Sequence, residues 1–309
     1  MAGGAATGGH SVSGAYAAVR NWLLAPSWIT IAIFMLGPVL LMAVYSFLTK
    51  EFRGGVIWDF SLASYDQFFF DRGLFGDEPP TLRWTYMAIY LRSIIQAGVA
   101  TLLCLVIGFP TAYFIATRPV HTRTIWLFLV TIPYWVNLLI RTVSMKFLIR
   151  DTGPINEWLI AFGVLDTPIK MINTDFAVQL GLFYSYLPFM VLPIYAAVER
   201  YDFSLTEASA DLYADRWTTL RLVLLPAVKP GIIAGCILVF VPSLGAFLAP
   251  DLLGGAKNFM IGSLIEEQFK GAAGNWPFGA ACAMVLLTMV LIAVFFYARQ
   301  QARSAEAGQ

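Results

Sequence analysis

The sequence predicts an all-α integral membrane protein with six transmembrane helices, and three observations carry that expectation. Of 309 residues, 59% are apolar and only 13% are charged, where a soluble globular domain carries about 25% charged residues. Six apolar segments, at 28–48, 89–117, 125–147, 176–198, 231–249 and 279–298, are each at or near the roughly 20 residues a helix needs to cross about 30 Å of hydrocarbon. Several contain proline, among them Pro38, Pro110, Pro133, Pro188, Pro193 and Pro242. Such residues break helices in water but are tolerated in membranes, where neighbouring helices re-satisfy the freed backbone groups. The formal net charge of +1 gives no reason to expect nucleic acid as a partner.

Taken in order, residues 1–27 read as a tail. Its first 19 residues are rich in Gly, Ala and Ser without Lys or Arg, and too few apolar side chains are present to fold them, so disorder is expected. The run 28–48 is too long for a signal peptide and no cleavage site follows it, which makes it the first span. Loop 49–88 mixes Trp58, Phe60, Tyr65, Phe68, Phe69 and Phe70 with Asp59, Asp66 and Asp71, a pattern suited to the membrane interface. The second segment is long enough to tilt. The six-span block 28–298 is followed by a short tail, 299–309. An even number of spans places both termini on one side. Total basic charge does not choose that side, but the loop Arg118–Arg123 and the tail Arg299–Arg303 are basic and free of acids, which places the termini in the cytoplasm. Cys104, Cys236 and Cys282 sit in apolar stretches without paired or metal-like spacing and read as small buried hydrophobes. No cofactor or metal is implied.

The connection between the fourth and fifth spans is different in kind. Ser204 followed by Glu207 matches a capping box, which predicts a helix start. Leu205, Ala208 and Leu212 then share one face of a short amphipathic helix, with Asp211 and Asp215 elsewhere. Trp217, Leu220 and Leu224 continue an apolar stripe in a second short helix. Pro226 and Pro230 bias Leu225 and Lys229 away from helical geometry and are expected to separate this unit from the fifth span. By itself the unit is a compact helix-turn-helix that can transmit a push, or simply a folded connector.

Glu207, Ala208 and Ser209, then Asp211, Leu212, Tyr213 and Ala214, then Leu224, Leu225, Pro226, Pro230 and Gly231 resemble the EAA loop of ABC importer permeases. Two positions depart from that pattern: Ser209 replaces an Ala, and Tyr213 stands where the family usually has Gly, which enters a left-handed turn more cheaply. Pro133-Tyr134-Trp135 with Arg141, Gly153-Pro154-Ile155-Asn156, the run Tyr186 to Tyr195, and Pro250 to Gly255 followed by Met260-Ile261-Gly262 look like the B-type permease of spermidine/putrescine importers. The resemblance implies the type I importer permease fold in a bacterial cytoplasmic membrane. It also implies two separate ABC ATPase subunits, a second, C-type permease, and a periplasmic or lipid-anchored substrate-binding protein. In that family the loop, here 199–230, sits in a groove of the ATPase. The residues it places there are Glu207, Ala208, Asp211, Leu212, Tyr213, Ala214, Leu220, Pro226, Pro230 and Gly231. No phosphate-binding Gly-Lys-Ser/Thr loop occurs in the chain, in keeping with ATP hydrolysis on another subunit.

A polyamine site is expected to offer aromatic faces and carboxylates. Tyr134, Trp135, Phe183, Tyr184 and Tyr186 supply the first, and Asn137 lies among them. The third and fourth segments hold no acid, and Asp175 and Asp251 fall just outside spans, where they can meet an arriving cation or simply be solvated. Arg141 lies within the third span, where charge is costly. It can repel cations, bind an anionic solute, or pair with an acid of the partner permease, and pairing is the plainest of these. An importer of another, anionic solute therefore stays open. A lone secondary transporter or channel would show more mid-membrane charges and an internal repeat, and a structural or signalling protein leaves the 199–230 loop unexplained.

Overall fold

The computed structural model describes residues 9–51, 55–71, 81–82, 84–255, 258–270 and 274–306. The helices run α1 (Gly9–Ser46), α2 (Ala63–Phe69), α3 (Trp84–Ala116), α4 (Val120–Trp135), α5 (Leu138–Leu148) and α6 (Pro154–Ala161). They continue with α7 (Asp175–Glu199), α8 (Ser204–Asp211), α9 (Arg216–Thr219), α10 (Leu225–Leu244), α11 (Ile261–Phe269) and α12 (Trp276–Glu306). The chain divides into two compact units, Phe69–Lys270 and the remainder formed by Met1–Phe68 with Gly271–Gln309.

Five helical stretches are long and apolar enough to cross a membrane: Trp22–Ser46, Trp84–Ala116, Asp175–Glu199, Arg216–Leu244 and Trp276–Arg299. The sixth predicted span, 125–147, is not one helix. Helices α4 and α5 pass the same test only as a pair, bent by 90°. The bend is local chemistry: Val136 and Asn137 take extended ψ values of 137° and 136°, and the Asn137 side chain accepts from the Leu139 amide to start α5. An asparagine cap competes with helix continuation, and Pro133 one turn earlier has already removed a helical donor.

Within Phe69–Lys270 the core is a three-helix packing of α3, α7 and α10. Cys104, Ala112, Ile115 and Ala116 of α3 meet Met190, Val191, Ile194 and Val198 of α7 and Val228 and Val239 of α10, all buried. Small residues set the spacing, as expected where helix association depends on close van der Waals contact. A Cβ on Gly231 would lie 2.7 Å from the Pro193 carbonyl oxygen, so α10 and α7 touch backbone to backbone there. The short strands β3 (Phe70–Asp71) and β4 (Thr81–Leu82) pair antiparallel in this unit, while β1 (Leu48–Lys50) and β2 (Val56–Phe60) belong to the other.

Pro226 and Pro230 do not separate the second loop helix from the fifth span. Helix α9 runs through a wide π turn, Leu220–Leu224, directly into α10, and Arg216–Leu244 is a single stretch. In the π turn the Leu225 amide reaches back five residues to the Leu220 carbonyl. That widening makes room for the Pro226 ring, which would clash with the carbonyl four residues earlier in a regular helix.

In the other unit α1 packs along α12. Helix α1 begins at Gly9, so residues 9–27, expected as part of a disordered tail, are helical; Ala15, Ala17 and Ala18 are strong helix formers. The expectation for residues 1–8 lies outside the described residues. Strands β1 (Leu48–Lys50) and β2 (Val56–Phe60) pair antiparallel with a register shift between Leu48 and Thr49. Phe47 packs on Phe60 and Tyr65, and the Tyr65 hydroxyl bonds Ser46 Oγ at 2.9 Å. Trp58 and Phe60 remain exposed. In this unit the described part of loop 49–88 is thus strand pairing between β1 and β2 and a short helix, α2.

Candidate functional site

The connection from α7 to α10 folds on local caps, though not the one the sequence suggested. Ser204 does not cap onto Glu207. Its amide donates to Asp202 Oδ1 at 3.0 Å, and hydrogen bonds from the Ser204 hydroxyl and amide hold the Asp202 carboxyl below the usual carboxylate range. Asp, two residues upstream, is the stronger cap because it accepts as an anion at a helix N-terminus. Asp215 starts α9 in the same way, accepting from the Thr218 hydroxyl and from the Trp217 amide at 3.2 Å. The Thr218 bond is the larger cause of its lowered pKa.

Helix α8 ends in a Schellman turn. The Tyr213 amide bonds the Ala210 carbonyl at 2.9 Å and the Ala214 amide bonds the Ser209 carbonyl at 3.1 Å, the paired pattern that closes a helix on a left-handed residue. That residue is Tyr213, at φ 57°. Tyrosine thus takes a left-handed geometry that glycine enters more cheaply, at a cost of roughly 1 kcal/mol. The other departure is also compensated. Ser209 is buried, and its hydroxyl lies 2.8 Å from Thr219 Oγ1, which ties α8 to α9.

Helix α8 buries Ser209 and half-buries Thr206, and leaves both its apolar and its charged residues exposed. Leu205, Leu212, Tyr213 and Trp217 are exposed, Tyr213 at 98%. Glu207, Ala208, Asp211, Pro226 and Pro230 are exposed with them, whereas Ala214 and Leu220 are half-buried. Glu207 makes no ion pair with a described residue. Gly231 is buried in the α7–α10 contact and takes no part in this surface. Tyr195 and Arg123 close on Glu199 at the neighbouring end of α7, at 2.6 and 3.4 Å.

A second group of sequence-selected residues gathers at the α4–α5 break. Arg141 is only 6% exposed. Its Nη2 donates to the Val136 carbonyl at 2.8 Å and the Tyr134 carbonyl at 3.2 Å, and its guanidinium carbon lies 5.6 Å from the Tyr134 ring centre and 5.8 Å from that of Tyr184. Within this chain Arg141 bonds main-chain carbonyls at the C-terminus of α4, where the helix dipole also favours a cation. Tyr134 meets Phe189 edge-on at 5.1 Å, and Tyr186 lies 6.3 Å from the same ring. Trp135 projects next to them, 81% exposed. Asn137 is occupied as the α5 cap. Asp251 lies apart, opening the π turn Pro250–Gly254, with Lys270 Nζ 3.9 Å from its carboxylate.

Asp175 also proves to be engaged. Its Oδ1 accepts from Arg92 Nη2 at 2.5 Å and Gln96 Nε2 at 2.6 Å. Arg92 bonds Asn258 as well, and Gln179 donates to the Gln96 carbonyl at 2.9 Å and to its side chain. This network, at the end of α3 and α7 remote from α8, was missed in the sequence. Its signal was there: Arg92 with Gln96, and Asp175 with Gln179, are polar pairs four residues apart on apolar helices.

No family model matches the sequence. The chain is 39% identical over 272 residues to the spermidine/putrescine transport system permease protein PotB of Escherichia coli (strain K12), covering 88% of this chain and 93% of that one. It is also 33% identical over 223 residues to the inner membrane ABC transporter permease protein YdcU of the same organism, covering 68% and 71%. The chain belongs to the ABC importer permeases. The permease fold matches the crystal structure of a bacterial ABC transporter involved in the import of the acidic polysaccharide alginate, with a TM-score of 0.65 at 17% identity over 91% of this chain and 96% of that one. This permease is a multi-pass inner-membrane protein and not an enzyme; permeases of its family work with separate ATPase subunits and a substrate-binding protein. The readings as a lone secondary transporter, a channel or a signalling protein fall away.

Proposed function

We propose that this permease carries a polyamine, of the spermidine and putrescine class, inward across the bacterial inner membrane, driven by ATP hydrolysed on two partner subunits. The observation that carries the substrate class is the 39% identity to a spermidine/putrescine permease along nearly the whole of both chains. The aromatic group at the α4–α5 break, Tyr134, Tyr184 and Tyr186 with Trp135 beside it, supports the reading because ring faces attract ammonium groups. The pathway runs past these side chains, between this permease and a second, C-type permease, and is supplied by a periplasmic or lipid-anchored binding protein. Both termini lie in the cytoplasm. The 199–230 loop then faces the ATPase, presenting Glu207, Ala208, Asp211, Leu212, Tyr213, Pro226 and Pro230, with Ala214 and Leu220 half-buried among them.

The test is uptake by the whole complex in proteoliposomes, with labelled putrescine and spermidine and with sulfate as the anionic competitor. Polyamine uptake that depends on ATP and is indifferent to sulfate is expected. Uptake of the anion with none of either polyamine overturns the proposal in favour of an anionic solute, the reading that the buried charge of Arg141 favours.

A further inference from the structure

A left-handed backbone at a fully exposed tyrosine needs a reason. In the Schellman turn that ends α8, glycine or asparagine would satisfy the same hydrogen bonds without a steric penalty. Among the described residues none packs on the Tyr213 ring, which is 98% exposed, so contacts within the described fold do not repay the strain at φ 57°. Strain of this kind at an exposed position points to a function outside the chain. The surroundings fit an aromatic contact. Leu212 is 81% exposed and Trp217 68% exposed, so three large apolar side chains crowd the six residues from 212 to 217. The turn beneath them is rigid, fixed by the Ala210 and Ser209 carbonyls, the Ser209–Thr219 bond and the Asp215 cap. Tyrosine is one of the side chains enriched among the residues that carry most of the binding energy at protein interfaces.

We infer that Tyr213 is the aromatic anchor by which this permease selects its own ATPase subunit, the ring filling an apolar recess that a glycine-bearing loop would leave empty. The inference rests on the reading of the 199–230 loop as the ATPase contact and adds to it the residue that distinguishes this loop from others of its family.

The experiment uses the complete complex in nanodiscs, with the cognate ATPase and with an ATPase taken from a system whose permease has glycine at this position. Tyr213→Gly and Tyr213→Asn both suit a left-handed turn, so neither should lower the thermal unfolding temperature of the permease. Each should weaken association with the cognate ATPase at least tenfold and reduce the preference for it over the other ATPase. Unchanged affinity and preference in both variants overturns the inference. Glu207→Arg separates the two levels. If it disrupts association while the Tyr213 variants do not, the loop reading stands and the anchor falls; if it too leaves association intact, the loop reading itself falls.

Discussion

At the break between α4 and α5 the carbonyls of Tyr134 and Val136 lose the amides that a continuing helix would bring to them, and Arg141 takes both. A buried acceptor left without a donor costs about 1–3 kcal/mol. Arg141→Met is therefore expected to destabilise the permease by roughly 3 kcal/mol, read as a lower unfolding temperature in detergent. Unfolding at the wild-type temperature would show that the guanidinium does not hold the break. The sequence marked Arg141 as significant, because a charge inside a span needs a partner. It could not name that partner, since carbonyls become available only where a helix stops. Tyr213 shows the same division: the departure from glycine was visible in the sequence, but the positive φ that makes it costly was not.

The caps of α8 and α9 belong to the scale of elements. Asp202 and Asp215 both have pKa values lowered by hydrogen bonds they accept in the fold. A carboxylate whose folded pKa is depressed contributes stability above its unfolded value and loses that contribution as pH falls through the folded one. The two short helices should accordingly lose amide-exchange protection first as pH is lowered from about 5 towards about 3, ahead of α3, α7 and α10. Protection that persists equally in α8 and the core helices would contradict this. Packing between elements gives a second expectation. Gly231→Ala forces a Cβ to within 2.7 Å of the Pro193 carbonyl, whereas a Cβ on Gly98 meets nothing within 4 Å. The first substitution should cost roughly 1–3 kcal/mol and the second almost nothing, and paired thermal unfolding measurements decide it. The capping box at Ser204 was a sound sequence pattern that lost to a nearer anion, and the prolines at 226 and 230 were sound helix breakers that lost to a π turn.

Across Phe69–Lys270 the α3–α7–α10 core joins two dissimilar ends. The Arg92–Gln96–Asp175–Gln179 network closes one end, and the exposed face of α8 occupies the other. Because Arg216–Leu244 is one uninterrupted stretch, a force applied at α9 reaches the core along α10 without a flexible joint. Glu207→Arg reverses the charge on the exposed face and touches nothing in the core. It should leave the permease inserted and folded while abolishing ATP hydrolysis coupled to transport in liposomes, and coupling at the wild-type level would refute the role given to this face.

The sequence by itself determined the membrane class, the number and approximate place of the apolar segments, and the loop between the fourth and fifth of them. These follow from composition and from spacing along the chain, which need no knowledge of what lies nearby. Only the tertiary structure decided that the third segment breaks by 90°, that Arg141 bonds the carbonyls freed at that break, that Gly231 is a packing residue, and that α8 buries Ser209 and leaves Leu205 exposed. Each of these depends on which groups meet across space, and in a lipid-facing bundle, where apolar residues are suitable on every side, hydrophobic periodicity does not say which face meets which.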